Sequence, residues 1–439
     1  MGAYIKEEVK MKRFLSLAMC AVLAVSLCAC AGKSAVSKDE NLLADYKKSE
    51  SLSEYDFLSG EDILPEGYEK YSDSVTDFSL QIFAENLSDN ENAVLSPYSV
   101  VSAMSLLMNG ADGDTLAQMK SVIAKGTDLG VINESNRYLT SRLSAFNNEE
   151  GEFFCADSLW LDDSFDVKAS FLQSAVNYYD AGVIRTPLSD TAAKDKINGW
   201  ISEQTKGKIT DMAESINPDT RAMIINAVLM DDKWTTPYTQ DDLLDGTFRG
   251  TQGDTDATFM CSKEFYISSS HAEGFVKSFK NLPLKFAAVV PVDDIPLTEF
   301  ASTLSASKLN ALIESQKPTE FCRASLPEFS VKSKLDLKES LIATGIEDAF
   351  DDVEADFSSL TNTGDIHIGS VNQEAFVEVG PQGACAGAAT VVELADTASP
   401  QEEEMKELVL DRPFLFIIFD NESNIPVFMG AVNNIGANQ

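Results

Sequence analysis

A ribbon with almost no bulk, residues 383–392, constrains the fold of this 439-residue chain more than any other feature. It reads Gly-Ala-Cys-Ala-Gly-Ala-Ala-Thr-Val-Val, without a charge, and lies just after Phe376-Val-Glu-Val379, whose alternation predicts a strand. A core element is normally held in place by large apolar side chains, and this one has none before Val391. In strand geometry alternate residues share a face, so Ala384, Ala386, Ala388 and Thr390 would form one lean stripe. Such a stripe can slide between neighbouring strands with little steric cost. Residues 393–407 then make a polar, acidic run long enough for an exposed loop, before Asp411-Arg-Pro-Phe-Leu-Phe416 returns to core composition.

The rest of the chain supplies material for a large core. Val75, Phe78, Ile82 and Phe83 recur near helical spacing, and Ser88-Asp89-Asn90 closes that stretch as a turn. Ser96-Pro97 opens a second helix carrying Val100, Val101, Met104, Leu107 and Met108, with proline at the first helical position. A third amphipathic stretch, residues 198–204, sets Trp200 beside Ile197 and Ile201. Strand signals dominate later, over residues 222–230, 286–291, 414–419 and 427–432, the last two flanking the hairpin loop 420–424. Helices early and strands late predict an α+β fold, and no internal repeat is visible.

Composition closes off several functions. Lysine and arginine number 34 against 70 acidic residues, a net charge of −36, which repels phosphate backbones and excludes electrostatic nucleic-acid binding. With 44% hydrophobic residues the chain is not globally disordered. Only His271 and His367 are present, so a multi-histidine metal site is excluded; His271 lies beside a serine run and His367 in an alternating stretch, and either would serve as a general base only if the fold brought a nucleophile and an orienting acid to it, so both read as surface or strand-face histidines. The acidic pairs Asp162-Asp163 and Asp351-Asp352 read as solvated faces. Ser88-Asp89-Asn90 and Ser305-Ala-Ser-Lys308 match motifs of penicillin-recognising enzymes, but in the wrong order and without a following Lys-Thr-Gly. No catalytic residues, metal or cofactor are expected.

At the amino terminus Lys12 and Arg13 precede an uncharged stretch of 14 residues, 14–27, shorter than the roughly 20 a bilayer span needs. It reads as a signal peptide covering residues 1–29, with Met11 an alternative start because Glu7 and Glu8 are out of place in a basic leader. Leu27-Cys28-Ala29-Cys30 resembles the lipobox of bacterial lipoproteins. Cys30 is the expected lipidated residue, since choosing Cys28 would put bulky Leu27 where a small residue belongs; an ordinary secreted signal is the alternative. Residues 30–70 then read as a lipidated cysteine and polar tether, and the body runs from 71 to 439. Of seven cysteines four remain outside the leader, Cys155, Cys261, Cys322 and Cys385, with no spacing that suggests a disulfide framework or zinc site.

Several separated motifs resemble those of serpins, specifically bacterial ones. Asn92-Ala-Val-Leu-Ser-Pro-Tyr-Ser99 with Gly110-Ala-Asp-Gly-Asp-Thr115 resembles the early helix signature of that family. Asn198-Gly-Trp-Ile-Ser-Glu-Gln-Thr-Lys-Gly-Lys-Ile209 resembles the next. Asn226-Ala through Lys233-Trp234 matches the strand leading to the family's buried tryptophan. Leu326-Pro-Glu-Phe329, and Asp411-Arg-Pro-Phe414 with Phe428-Met-Gly430, complete the series.

The resemblance implies a large, mostly antiparallel central sheet of five strands, further sheets, about eight to nine helices and an exposed reactive-centre loop near residues 381–410. It implies a suicide inhibitor: a serine protease forms an acyl-enzyme with the loop, and the freed hinge then inserts into the sheet and distorts the protease. The hinge would be Gly383, Ala384, Cys385, Ala386, Gly387, Ala388, Ala389 and Thr390. Counting as in typical serpins places the reactive bond at Thr397-Ala398, which suits elastase-like or subtilisin-like proteases; the longer stretch before Pro413 leaves Leu394 or Ala395 as alternatives. Ser96, Asn226 and Gln373 would form a mid-sheet hydrogen-bond cluster, Gln373 standing where a histidine is common, and these three with the buried Trp234 would make up the sheet-opening region. Pro381 and Glu328 replace a frequent ion pair, so that pair is expected to be absent. Cys385 stands for a more typical glutamate, either as a small residue or as a redox-sensitive one. The expected partners are a target protease and, through Cys30, a membrane; the expected state is an extracellular monomer. A non-inhibitory serpin-fold binding protein is the competing reading.

Overall fold

The computed structural model describes residues 40–436 apart from 53, 58–62, 208–209, 211–212, 214–215, 217–219, 294, 364–365 and 386–404. Its helices are α1 (Tyr68–Glu85), α2 (Pro97–Met108), α3 (Gly113–Ala124), α4 (Leu129–Ala145) and α5 (Ala169–Ser174), which runs on into a π-turn over Ala175–Tyr179. They continue as α6 (Ala192–Gln204), α7 (Leu297–Ser302), α8 (Ala306–Glu314) and α9 (Lys338–Ala343). The first strands are β1 (Glu40–Asn41), β2 (Ala93–Leu95), β3 (Gly151–Leu161), β4 (Gly182–Arg185) and β5 (Ala222–Lys233). Next come β6 (Leu243–Gly250), β7 (Gly253–Ser268), β8 (Ala272–Ser278), β9 (Leu284–Pro291), β10 (Phe321–Pro327) and β11 (Phe329–Asp336). The chain closes with β12 (Ser370–Val379), β13 (Gly383–Cys385), β14 (Lys406–Val409), β15 (Phe414–Asp420) and β16 (Pro426–Val432). Among the described residues no helix is long and apolar enough to cross a membrane.

A seven-stranded sheet has the order β1-β4-β3-β5-β13-β12-β11, and a second network of nine strands runs β14-β10-β7-β8-β9-β15-β16-β2 with β6 on β7. The fold is α+β. Removing β1 and β13 from the first sheet leaves β4-β3-β5-β12-β11, the five strands expected from the resemblance. Alternation along β5 explains how this sheet is covered on both faces. Ile224, Val228 and Met230 point into the main core, whereas Met223, Ile225 and Ala227 pack with Ile197 and Ile201 of α6. Trp200 on α6 meets Trp160 on β3 edge-on, with ring centroids 6.4 Å apart.

Helix α2 sits under the sheet with every residue buried, which is why its sequence is apolar all round apart from serines. Pro97 occupies its start, where a missing N–H costs nothing. The third helix extends six residues further toward the amino terminus than the 198–204 pattern, because Ala192–Asp195 carry no apolar period to reveal it. Part of the stretch read as tether packs on the body. Glu40–Asn41 adds to the edge strand β4, Leu42 N donates to Val183 O at 2.9 Å, and Tyr55 and Phe57 each meet the Tyr138 ring edge-on at 5.2 Å. The signal segment and Cys30 lie outside the described residues.

Candidate functional site

The site is a seam in the main sheet. Strands β5 and β12 pair in parallel over their lower halves, from Ser370 opposite Met223 to Glu374 opposite Ala227. Above that they part, and the hairpin 380–382 turns the chain back between them. Gly383, Ala384 and Cys385 then pair antiparallel with Lys233, Asp232 and Asp231 on one side, while Cys385 and Ala384 pair with Glu378 and Val379 on the other. The first three residues of the lean ribbon thus already occupy the upper end of the seam.

Glycine at 383 follows from this wedge. A Cβ there would lie 2.1 Å from Asp232 O and 2.7 Å from Lys233 Cα, so only hydrogen fits between the backbones. Ala384 is buried toward the main core, and Cys385 is half-buried between Asp231 and Glu378. Ala386, Gly387, Ala388, Ala389, Thr390, Thr397 and Ala398 lie outside the described residues.

The hairpin that feeds the wedge is fastened to the end of β5. Trp234 Nε1 donates to Gly380 O at 2.9 Å, Trp234 N to Gln382 O at 2.9 Å and Tyr238 N to Pro381 O at 2.9 Å. The indole is fully buried, stacked on Phe279 at 4.7 Å. Beside it Lys277, also buried, donates to Glu264 Oε1 at 2.5 Å and lies 4.4 Å from the Tyr238 ring centroid. Pro381 contributes only backbone here. Glu328 has an acidic neighbour in Glu378, and its carboxyl is raised first by burial and then by that charge. A buried lysine pair missed by sequence reasoning, Lys277 with Glu264, therefore stands beside the hairpin. A lysine within the apolar run Gly274-Phe-Val-Lys277 was the available signal.

Lower in the seam the structure brings Ser96, Asn226 and Gln373 together. Gln373 Oε1 accepts from Ser96 N at 2.9 Å, while its Nε2 donates to Ser96 O at 3.0 Å, Ser99 Oγ at 2.7 Å and Asn226 Oδ1 at 3.2 Å. Asn226 Nδ2 donates to Ser99 O at 3.0 Å and to Asp157 Oδ1 at 2.5 Å, and the Ser99 hydroxyl donates to Asn226 Oδ1. Ser96, Ser99 and Ser102 recur every third residue of α2 and its cap, which lines them up beneath the sheet. Both faces of the Gln373 amide are satisfied, so donor and acceptor are used at once. Trp234 is not part of this lower cluster; it belongs to the upper fastening. Ser99, Ser102 and Asp157 went unread in the sequence, although a carboxylate inside the strand Phe153-Phe-Cys-Ala-Asp157 marks a buried polar site.

Where the undescribed stretch ends, β14 pairs in parallel with β10, from Lys406 opposite Cys322 to Val409 opposite Ser325. Lys406 Nζ meets Glu273 Oε2 at 2.5 Å and the Tyr266 hydroxyl. The strands flanking residues 386–404 therefore belong to different sheets, β13 to the first and β14 to the second.

The family model for serpins, serine protease inhibitors, matches residues 73–435. The chain belongs to the serpin family. Among curated relatives this serpin is 28% identical over 381 residues to an uncharacterized serpin-like protein of Thermococcus kodakarensis, covering 85% of this chain and 88% of that one. It is 26% identical over 376 residues to plasminogen activator inhibitor 1 of Sus scrofa, covering 81% and 90%. Among solved structures the thermophilic serpin tengpin in its native state matches with a TM-score of 0.82 at 31% identity, covering 91% of this chain and all of that one. Serpins are generally inhibitors of serine proteases rather than enzymes.

Proposed function

We propose that this serpin is a suicide inhibitor of serine proteases with small-residue specificity, elastase-like or subtilisin-like, displayed outside the cell on a lipid anchor at Cys30. One observation carries the mechanism: the β13 wedge already lies between β5 and β12 in the register an inserting strand needs. Were that register to continue on insertion, Ala386 would come opposite Met230 and Val377, Ala388 opposite Val228 and Ala375, and Thr390 opposite Asn226 and Gln373. The lean stripe would thus run over apolar partners and bring its one hydroxyl to the polar cluster. The outward-facing positions would be Gly387 and Ala389, small enough to pass beneath α6.

The bait is assigned to Thr397-Ala398, with Leu394 and Ala395 as the alternatives within the same loop. A small residue before the cut fits a narrow apolar pocket and offers nothing to a trypsin-like one. Incubation with pancreatic elastase tests the reading. An adduct that survives SDS, with the carboxy-terminal peptide released by a cut between Glu393 and Ser399, is the expected result. Clean loop cleavage without an adduct would make this serpin a substrate and favour a non-inhibitory binding role. Metabolic labelling with palmitate tests the anchor: label lost in Cys30→Ser is expected, and label retained there would remove Cys30 from the assignment.

A further inference from the structure

Asp157 lies on β3, one strand away from the seam, yet it ends the polar chain that crosses it. Its Oδ1 accepts from Asn226 Nδ2 and its Oδ2 from Ser102 Oγ, each at 2.5 Å. Asn226 Oδ1 in turn accepts from Gln373 Nε2 at 3.2 Å. Every donor along the line from Gln373 through Asn226 points toward Asp157. A negative charge at that end polarises the bonds behind it and makes the last one charge-assisted, so ionisation tightens the link between β12 and β5. Protonation weakens the grip on the Asn226 amide and with it the link across the seam.

The surroundings leave this carboxyl as the group that changes charge. Asp157 is 2% exposed. Facing it are Ser102 and Tyr98 from α2, Asn226 from β5, Tyr179 from the π-turn and Cys155 on its own strand. Burial holds Tyr98, Tyr179 and Cys155 well above their ordinary titration ranges, so all three stay protonated at neutral pH. Burial also raises Asp157 to about 6, against the opposing pull of the Ser102 and Asn226 hydrogen bonds.

We propose that Asp157 is a positioning residue for sheet opening: acting through Asn226, it holds β12 against β5 when ionised and releases it when protonated, so the sheet admits a new strand faster in mild acid. The inference rests on the insertion reading above. Opening removes Gln373 from Asn226 and so withdraws support from the carboxylate. The open sheet therefore binds a proton more tightly than the closed one, and lowering the pH favours opening.

The test uses the uncut protein and a capped peptide of residues 384–392 with serine in place of Cys385, which carries no titratable group of its own. Its rate of annealing into the sheet, read as gain of heat resistance, is followed from pH 5 to pH 8. The rate should rise toward acid with a midpoint near 6, by roughly tenfold for each unit by which opening raises the carboxyl pKa. Asp157→Asn should flatten the profile, and Ser102→Ala, which removes a donor to the carboxylate, should move the midpoint to higher pH. A parent profile without a rise toward acid, an Asp157→Asn profile parallel to the parent, or an unmoved midpoint in Ser102→Ala would overturn the assignment. Difference infrared titration of the aspartate carboxyl bands, parent against Asp157→Asn, reads the protonation without any insertion. If the peptide never anneals at any pH, the insertion reading fails, and the infrared midpoint still decides whether this carboxyl titrates near 6.

Discussion

Gln373 Nε2 donates to Asn226 Oδ1 over 3.2 Å, directly across the paired strands and one register step below the last β5–β12 pair. The two amides, with Ser96 and Ser99, join the strands at the place where, on the proposed mechanism, an entering strand would part them. Gln373→Ala would leave the Asn226 carbonyl and the Ser96 N–H short of partners inside the core, at a cost of about 1–3 kcal/mol. Thermal unfolding of the uncut variant should show the lower melting temperature. An unchanged melt would mean that the cluster does not hold the seam.

Gly383→Val tests the wedge. A side chain there has 2.1 Å to Asp232 O, so the hinge would be driven out of the seam or the strands forced apart. The adduct with elastase should fall by at least tenfold while loop cleavage continues. Ala386→Arg and Ala388→Glu should act further along by the same logic, converting inhibitor to substrate through burial of a charge. Comparable adduct on denaturing gels from variant and parent would contradict this.

Lys277→Met removes one partner of a buried pair and leaves the Glu264 carboxylate, which also accepts from Ser262 Oγ at 2.6 Å, without that cation. Breaking such a pair costs ~3–5 kcal/mol, whereas replacing both partners by apolar residues is often close to neutral. Denaturant unfolding should show the single variant strongly weakened and Lys277→Met with Glu264→Leu largely restored. A double variant as weak as the single would indicate that Lys277 acts through the aromatic rings and not through its carboxylate.

The buried carboxyl at Asp157 also has a signature in overall stability. Its folded value, about 6, lies above the ordinary aspartate value near 4, so the folded chain binds the proton more tightly than the unfolded one. Ionisation therefore costs stability in full above pH 6, and the cost is relieved as pH falls from about 6 to about 4. Relative to Asp157→Asn, the parent should gain about 3 kcal/mol across that window in chemical unfolding. A constant difference between the two proteins would show that the carboxyl is not perturbed.

Much of this was legible in the sequence, and what was not has physical causes. The lean ribbon stood out because bulk is absent where a strand pattern is present. Pro97 announced α2, and alternation announced β12 down to Phe376 but not its lower half, where Asn372, Gln373 and Glu374 break the apolar rhythm for the sake of the polar cluster. The presence of β13 in the sheet was hidden, since three small residues carry no periodicity and their place is set by Gly383 fitting against Asp232. Asp157 was hidden for the opposite reason: a single carboxylate reads as a solvated residue until Ser102 and Asn226 are seen to hold it. The packing of Tyr55 and Phe57 on Tyr138 escaped because polar neighbours outnumber those aromatics in residues 31–70.

Strand insertion itself is most directly tested by heating the protein before and after the loop is cut. Elastase nicking between Glu393 and Ser399 should yield a molecule that melts far above the uncut one, because the ribbon from Ala386 onward would extend β13 down the whole seam. A nicked molecule that unfolds at the same temperature as the uncut one would contradict the account.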